Sequence, residues 1–150
     1  MNPQRPDPEP ADSQAGRTLV GIGIIARGGS VLIRQRPEGT GYAGYWEFPG
    51  GKCEPGESPE AATVRECLEE IGIDVRLIRL RKVVEHTYPH GAVRLHFFDG
   101  ETVLADAQPT PGTGFRWVDV AQLPSLRFPE ANDEILAELL DESAADGNGR

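Results

Sequence analysis

Basic residues are scarce in this chain: 15 lysines and arginines stand against 24 aspartates and glutamates, for a net charge of −9. Binding to duplex nucleic acid leans on Lys and Arg against phosphates, so a stable nucleic-acid partner is not expected. An acidic protein can still take a small polyphosphate when metal ions mediate the contact. Cysteine is scarcer still. Cys53 and Cys67 are the only two, and neither lies near a Cys/His cluster, which argues against a structural zinc site. A reduced, cytoplasmic setting is expected. Long hydrophobic runs are missing as well. The longest, TLVGIGIIA (Thr18 to Ala26), has nine residues, against roughly 20 for a membrane-spanning helix. The opening MNPQRPDPEPADSQAG has no apolar segment of the kind a secretory signal carries.

What remains is an ordinary globular composition, with 18 glycines in 150 residues, a length that suits one domain with its own core. Residues 1–17 hold Pro3, Pro6, Pro8 and Pro10 and almost nothing apolar, so they are expected to form a disordered arm. Residues 141–150 are expected to be a flexible tail. The folded domain is then 18–140. Within it TLVGIGIIA and VLIRQR flank RGGS, the pattern of a hairpin. GTGYAGYWEF (Gly39 to Phe48) looks like a loop running into a short strand. DVRLIRLRKVVEHTY and AVRLHFFDGETVL are strands joined around PHG, and GFRWVDV is another. A final helix over PEANDEILAELLDE repeats apolar residues at Ile135, Leu136, Leu139 and Leu140. The order of elements predicts an α/β fold, a mixed sheet with helices packed on it.

The central helix carries the chemistry. Ser58 and Pro59 suit an N-cap and first helical position, and Gly72 suits the C-terminal stop. Ala61, Val64, Leu68 and Ile71 fall on one stripe at about 100° per residue, with Glu66, Glu69 and Glu70 roughly opposite. These three acids are i, i+3 and i, i+4 neighbours, a repulsive arrangement. One account is a solvated acidic face. Three features favour a divalent cation instead. Two of the acids sit in the last turn, where the helix dipole disfavours negative charge. No lysine alternates with them. The preceding FPGGKCEPGE loop is glycine-punctuated and lets backbone carbonyls approach an ion. Oxygen-only donors suit hard cations such as magnesium or manganese.

The same stretch resembles the Nudix box, G-x5-E-x7-R-E-U-x-E-E-x-G-U, with U a bulky apolar residue. Its positions are filled by Gly51, Glu57, Arg65-Glu66-Cys67, Glu69-Glu70 and Gly72-Ile73. Cys67 departs from the usual Ile, Leu or Val, but cysteine behaves as a small hydrophobe. EFPGGK (Glu47 to Lys52), the first hairpin and RFPEAND (Arg127 to Asp133) look like the MutT branch, which sanitises oxidised guanine nucleotides. The resemblance spans about Val20 to Leu140. It implies the Nudix fold, a mixed β-sheet sandwiched between α-helices. It also implies hydrolysis of a nucleoside triphosphate, with water attacking the β-phosphorus to release a monophosphate and pyrophosphate. By position, the Gly50 carbonyl, Glu66, Glu69 and Glu70 would hold the metal, Mg2+ or Mn2+. Glu66 would be the general base, with Glu57 and Arg65 supporting it. MutT-like enzymes often carry a further glutamate on the loop before the late Trp-containing strand. Here Asp106 is the only acid in that loop.

Substrate binding is expected from Arg36, Phe48, Lys52 and Asn132, and of these Arg36, Phe48 and Asn132 match substrate-lining positions of the branch. An amide pairs a donor with an acceptor and suits the edge of a guanine, although Asn132 is also placed to cap the last helix. Phe48 and Trp46 also fit as core aromatics, and Arg36 as a solvated strand residue. His86, Tyr88 and His90 alternate on one strand face, as hairpin surface or as pocket lining. GIGIIA (Gly21 to Ala26) formally fits a dinucleotide fingerprint. That motif needs a helix directly after the strand, whereas a turn follows here. Three alternatives stand beside the oxidised-purine reading: a pyrimidine triphosphate such as CTP, a dinucleoside polyphosphate, or a module that senses nucleotides without hydrolysing them. The sequence leaves the oligomeric state open.

Overall fold

The computed structural model describes residues 17–89 and 91–148. Residues 1–16 of the arm expected over 1–17, together with His90 and the last two residues, lie outside that range. Arg17 itself opens the first strand. The strands are β1 (Arg17–Arg27), β2 (Ser30–Gln35), β3 (Trp46–Glu47), β4 (Gly50–Lys52), β5 (Val75–Tyr88), β6 (Gly91–Thr102) and β7 (Arg116–Asp119). Helix α1 (Pro59–Ile71) follows β4, and α2 (Asp133–Asn148) ends the described chain.

The sheet runs β3-β2-β1-β6-β5, with β4 paired to β1 and β7 paired to β2. β1 and β6 are parallel, and the other pairs are antiparallel, so the sheet is mixed as expected. Gly28 and Gly29, at φ 55° and 89°, make the first hairpin turn, a conformation that costs glycine nothing. Alternation along β1 feeds two cores. Ile24 packs with Ile33, Phe48, Phe97, Leu123 and Ile135 on the α2 side. Ile25 packs with Leu32, Cys67, Ile71 and Phe115 on the α1 side. One sheet between two helical layers is thereby stabilised on both faces.

Helix α1 has the predicted ends. Ser58 Oγ accepts from the Ala61 N–H at 3.1 Å, and Gly72 closes the helix at φ 80° with its N–H on the Leu68 carbonyl. Its orientation differs from the wheel drawn above. The buried residues are Ala62, Thr63, Cys67 and Ile71, whereas Leu68 is 50% exposed. Of the apolar stripe, Ala61 and Leu68 therefore lie off the packed face, while Val64 and Ile71 pack on it. The cause is a close approach to β1: a Cβ on Gly21 would fall on the Pro59 carbonyl and the Thr63 hydroxyl. Thr63 and Cys67, small and compatible with burial, make the contact, and the Thr63 hydroxyl is satisfied by the Pro59 carbonyl at 2.8 Å. The glycines of GIGIIA are thus helix-packing positions inside a strand. The rotation also moves Glu66 and Glu70 from the far side of the helix to the margin of its packed face, beside β4.

α2 continues to Asn148, through most of the segment expected to be a tail. Arg81 on β5 holds it there, bonding Glu138 at 3.1 Å and Glu142 at 2.8 Å while also bonding Asp99 at 2.8 Å.

Candidate active site

β4 and α1 bring the box residues together. Arg65 lies at their centre. Its Nε and Nη2 donate to the two oxygens of Glu57 at 2.8 and 2.9 Å, and Nη2 also reaches the Lys52 carbonyl at 3.2 Å. Nη1 reaches Glu66 and Glu69, both at 3.1 Å. The fork on Glu57, together with the Glu54 N–H, drives the Glu57 carboxyl down to about 2, and the same pairing raises Arg65. Glu57 is therefore an anchor that fixes the guanidinium, and the guanidinium aligns Glu66 and Glu69.

Glu70 sits differently. Its Oε1 accepts from the Gly50 N–H at 3.2 Å, and its Oε2 lies 3.8 Å from Arg34. Burial pushes its carboxyl up to about 7, the Gly50 N–H opposes this, and the nearby Glu66 charge adds to the rise. A methyl on Gly51 would fall on the Glu66 carboxylate, so glycine there leaves the space that Glu66 fills. Glu66 and Glu70 are 18% and 24% exposed in their side chains, against 59% for Glu69. Among the described residues, no three acidic, histidine or thiol groups converge as a ready-made metal cluster. Arg65 occupies the space between Glu57, Glu66 and Glu69 in this arrangement. The donor set nevertheless fits a hard cation: all oxygens, two of them on half-buried acids that repel one another. Burial and the Glu66 charge both act against the Glu70 carboxylate, and Arg34 at 3.8 Å only partly offsets them.

A cavity of about 450 Å³ lies alongside, lined by Arg36, Tyr42, Glu47, Phe48, Gly50, Gly51, Lys52, Tyr88 and Asn132, with Val20, Ile22, Val93 and Leu95 as apolar wall. All four residues expected to bind substrate are present in it. Phe48 is buried and tilts against Phe128 at 5.3 Å, so it serves core and cavity together. Asn132 ends a 3-10 turn, and its Nδ2 donates to the Pro129 carbonyl at 3.1 Å. Arg36 is tied to Glu47 at 2.6 Å and to the Gly41 carbonyl at 2.6 Å. Tyr88 lines the cavity and packs on His86 at 4.4 Å. Asp106 is an exposed residue of the loop between β6 and β7.

The sequence reading missed Arg34 and the role of Glu47. Arg34 donates to Glu47 at 2.7 Å and packs over the Phe115 ring at 4.9 Å. Glu47 therefore ties two arginines, one facing the cavity and one facing Glu70. The i, i+2 spacing of Arg34 in β2 and Arg36 just beyond its end was the available signal, since such positions share a face of an extended chain.

The NUDIX domain family model matches residues 21–138. This chain belongs to the Nudix family. It is a Nudix nucleotide diphosphatase, a hydrolase of phosphoric anhydrides of the MutT-like branch. Nudix hydrolases generally use divalent metal ions, which agrees with the donor set above. The 8-oxo-dGTP diphosphatase of Escherichia coli K12 is 33% identical over 121 residues, covering 80% of this chain and 94% of that protein. The CTP pyrophosphohydrolase of the same organism is 55% identical over a shorter stretch of 51 residues, 34% of this chain and 38% of that protein. A structure from a study of MutT from Aliivibrio salmonicida and Vibrio cholerae superposes with a TM-score of 0.61 at 35% identity, covering 84% of this chain and 98% of that one. Among the described residues, no helix of this Nudix protein is long and apolar enough to cross a membrane.

Proposed function

We propose that this Nudix hydrolase is a magnesium-dependent nucleoside triphosphate pyrophosphohydrolase. It cleaves its substrate to a nucleoside monophosphate and pyrophosphate and acts on oxidised purine nucleotides such as 8-oxo-dGTP. The observation that carries this reading is the position of β4. Gly50 and Gly51 line the cavity, and the same two residues back Glu70 and Glu66. A base in the cavity would leave its phosphates beside the carboxylates.

In this reading Glu66, Glu69, Glu70 and the Gly50 carbonyl hold the cation, with manganese able to replace magnesium. The cation supplies charge neutralisation for the polyphosphate and acidifies a water. Glu66 takes the proton from the attacking water. Arg65, locked by Glu57, keeps the carboxylates aligned. Arg36 and Lys52 meet phosphate or sugar, Phe48 supports the base, and the Asn132 amide reads its edge. Positioning and charge stabilisation are the main demands of phosphoryl chemistry, and the site is built for both. A cytoplasmic location and the absence of a stable nucleic-acid partner belong to the same reading, since free nucleotides are the substrate and the chain carries a net charge of −9.

The stretch shared with the CTP pyrophosphohydrolase favours a second reading, in which the base is a pyrimidine. A panel of 8-oxo-dGTP, dGTP, CTP and diadenosine polyphosphates with magnesium separates the two. Asn132→Ala then tests the base contact: loss of one neutral hydrogen bond should cut the preference for 8-oxo-dGTP over CTP by about tenfold. An unchanged preference removes Asn132 from base reading.

A further inference from the structure

Tyr42 is, among the described residues, the one non-glycine residue at positive φ, 59°. That region is a genuine outlier for a bulky side chain. The loop between β2 and β3 has glycine to spare, with Gly39 and Gly44 at φ 87° and 85° and Gly41 beside it. An aromatic residue nevertheless occupies a position that glycine would fill without strain. Backbone strain of this kind persists where the surroundings hold it and where the side chain is needed.

The surroundings are aromatic. The Tyr42 ring meets Tyr45 edge to face at 5.2 Å and Tyr88 at 6.2 Å, and the Tyr45 N–H closes the turn on the Tyr42 carbonyl at 3.0 Å. Tyr42 and Tyr88 come from opposite sides, one from the loop and one from the end of β5, and both line the cavity that holds Phe48 and Asn132. Unlike Phe48, Tyr42 is 46% exposed, so much of its ring is left for a ligand.

We propose that Tyr42 is a substrate-binding residue whose ring packs against the nucleobase at the cavity mouth, and that its left-handed backbone is what carries the ring there. This rests on the nucleotide reading of the site. Base–aromatic stacking tolerates many bases because each has a π face. The contact is remote from the phosphates, so it strengthens substrate and transition state alike and acts on KM while leaving kcat alone.

The test is Tyr42→Gly, assayed by steady-state kinetics with 8-oxo-dGTP, by binding of the corresponding nucleoside monophosphate, and by thermal unfolding. Glycine keeps the backbone conformation and removes the ring. KM and the monophosphate Kd should both rise about tenfold, with kcat within twofold and only a small change in Tm, since relief of the positive φ offsets the lost ring contacts. Tyr42→Phe should restore the wild-type KM. A residue that only shapes the loop would lower Tm and leave KM and Kd where they were, and that result overturns the proposal. Wild-type protein that binds the monophosphate without hydrolysing the triphosphate would overturn the proposed reaction, while the Kd comparison still decides the role of Tyr42. Wild-type protein that neither binds nor hydrolyses overturns both.

Discussion

Glu66→Gln should lower kcat by about a thousandfold, the scale of losing a general base, while nucleotide binding and folding stay near wild type. The substitution is nearly isosteric. Its amide oxygen can still accept from Arg65, which bonds Glu66 at 3.1 Å, and its volume still fits over Gly51. What disappears is the negative charge and the basic oxygen. Both the holding of a cation and the abstraction of a proton depend on them, so a weaker response to added magnesium should accompany the loss in kcat. A magnesium titration at saturating nucleotide separates the two contributions: metal recruitment is rescued at high magnesium, whereas proton abstraction is not. If Glu66→Gln kept a tenth or more of wild-type kcat at saturating magnesium, the base would have to be sought elsewhere. If wild type were itself inactive but bound triphosphates, the nucleotide-sensing alternative would stand.

The second large effect concerns folding. Gly21→Ala should destabilise the protein by roughly 3 kcal/mol, the upper range for overpacking a close contact, or about 10 °C in Tm. An added methyl at Gly21 runs into the Pro59 carbonyl and the Thr63 hydroxyl. The carbonyl belongs to the first turn of α1, so no side-chain rotation relieves the clash and the helix must lift from β1. That movement would carry Glu66 and Glu70 away from β4, and activity should fall with stability. Gly28, which meets nothing within 4 Å of an added Cβ, is the comparison position. There the penalty is only that of its positive φ, and Gly28→Ala should cost about 1 kcal/mol. Chemical denaturation of the two variants measures the difference. Equal stabilities would mean that α1 does not press on Gly21.

The helix ends, the first hairpin and the pairing of β5 with β6 were legible because each has local chemistry: Ser58 and Pro59 at a helix start, Gly72 at its end, a glycine pair at a turn. The facing of α1 was not. The apolar stripe Ala61, Val64, Leu68 and Ile71 puts only Val64 and Ile71 against the core, and the packed face turns toward Ala62, Thr63 and Cys67. What chose that face was the absence of side chains on Gly21 and Gly23, a long-range fact that no window on the helix contains. Glu66, Glu69 and Glu70 stood out by their spacing, and Glu57 through the resemblance to the Nudix box. Their partner Arg65 was named, but its fork on Glu57 needed coordinates. Arg34 and Glu47 lie on different strands, and their pairing depends on the register Arg34↔Glu47. Tyr42 was hidden for another reason. Within GTGYAGYWEF it reads as one loop aromatic among several, and only its φ sets it apart.

The central claim is hydrolysis at the β-phosphorus of a nucleoside triphosphate, and the position of solvent oxygen in the products tests it most directly. Turnover of 8-oxo-dGTP with magnesium in 18O-enriched water, followed by mass spectrometry and 31P NMR of both products, should give monophosphate and pyrophosphate with the label in the pyrophosphate. Label in the monophosphate would place the attack at the α-phosphorus. Release of orthophosphate, or no turnover of any triphosphate, would contradict the account altogether.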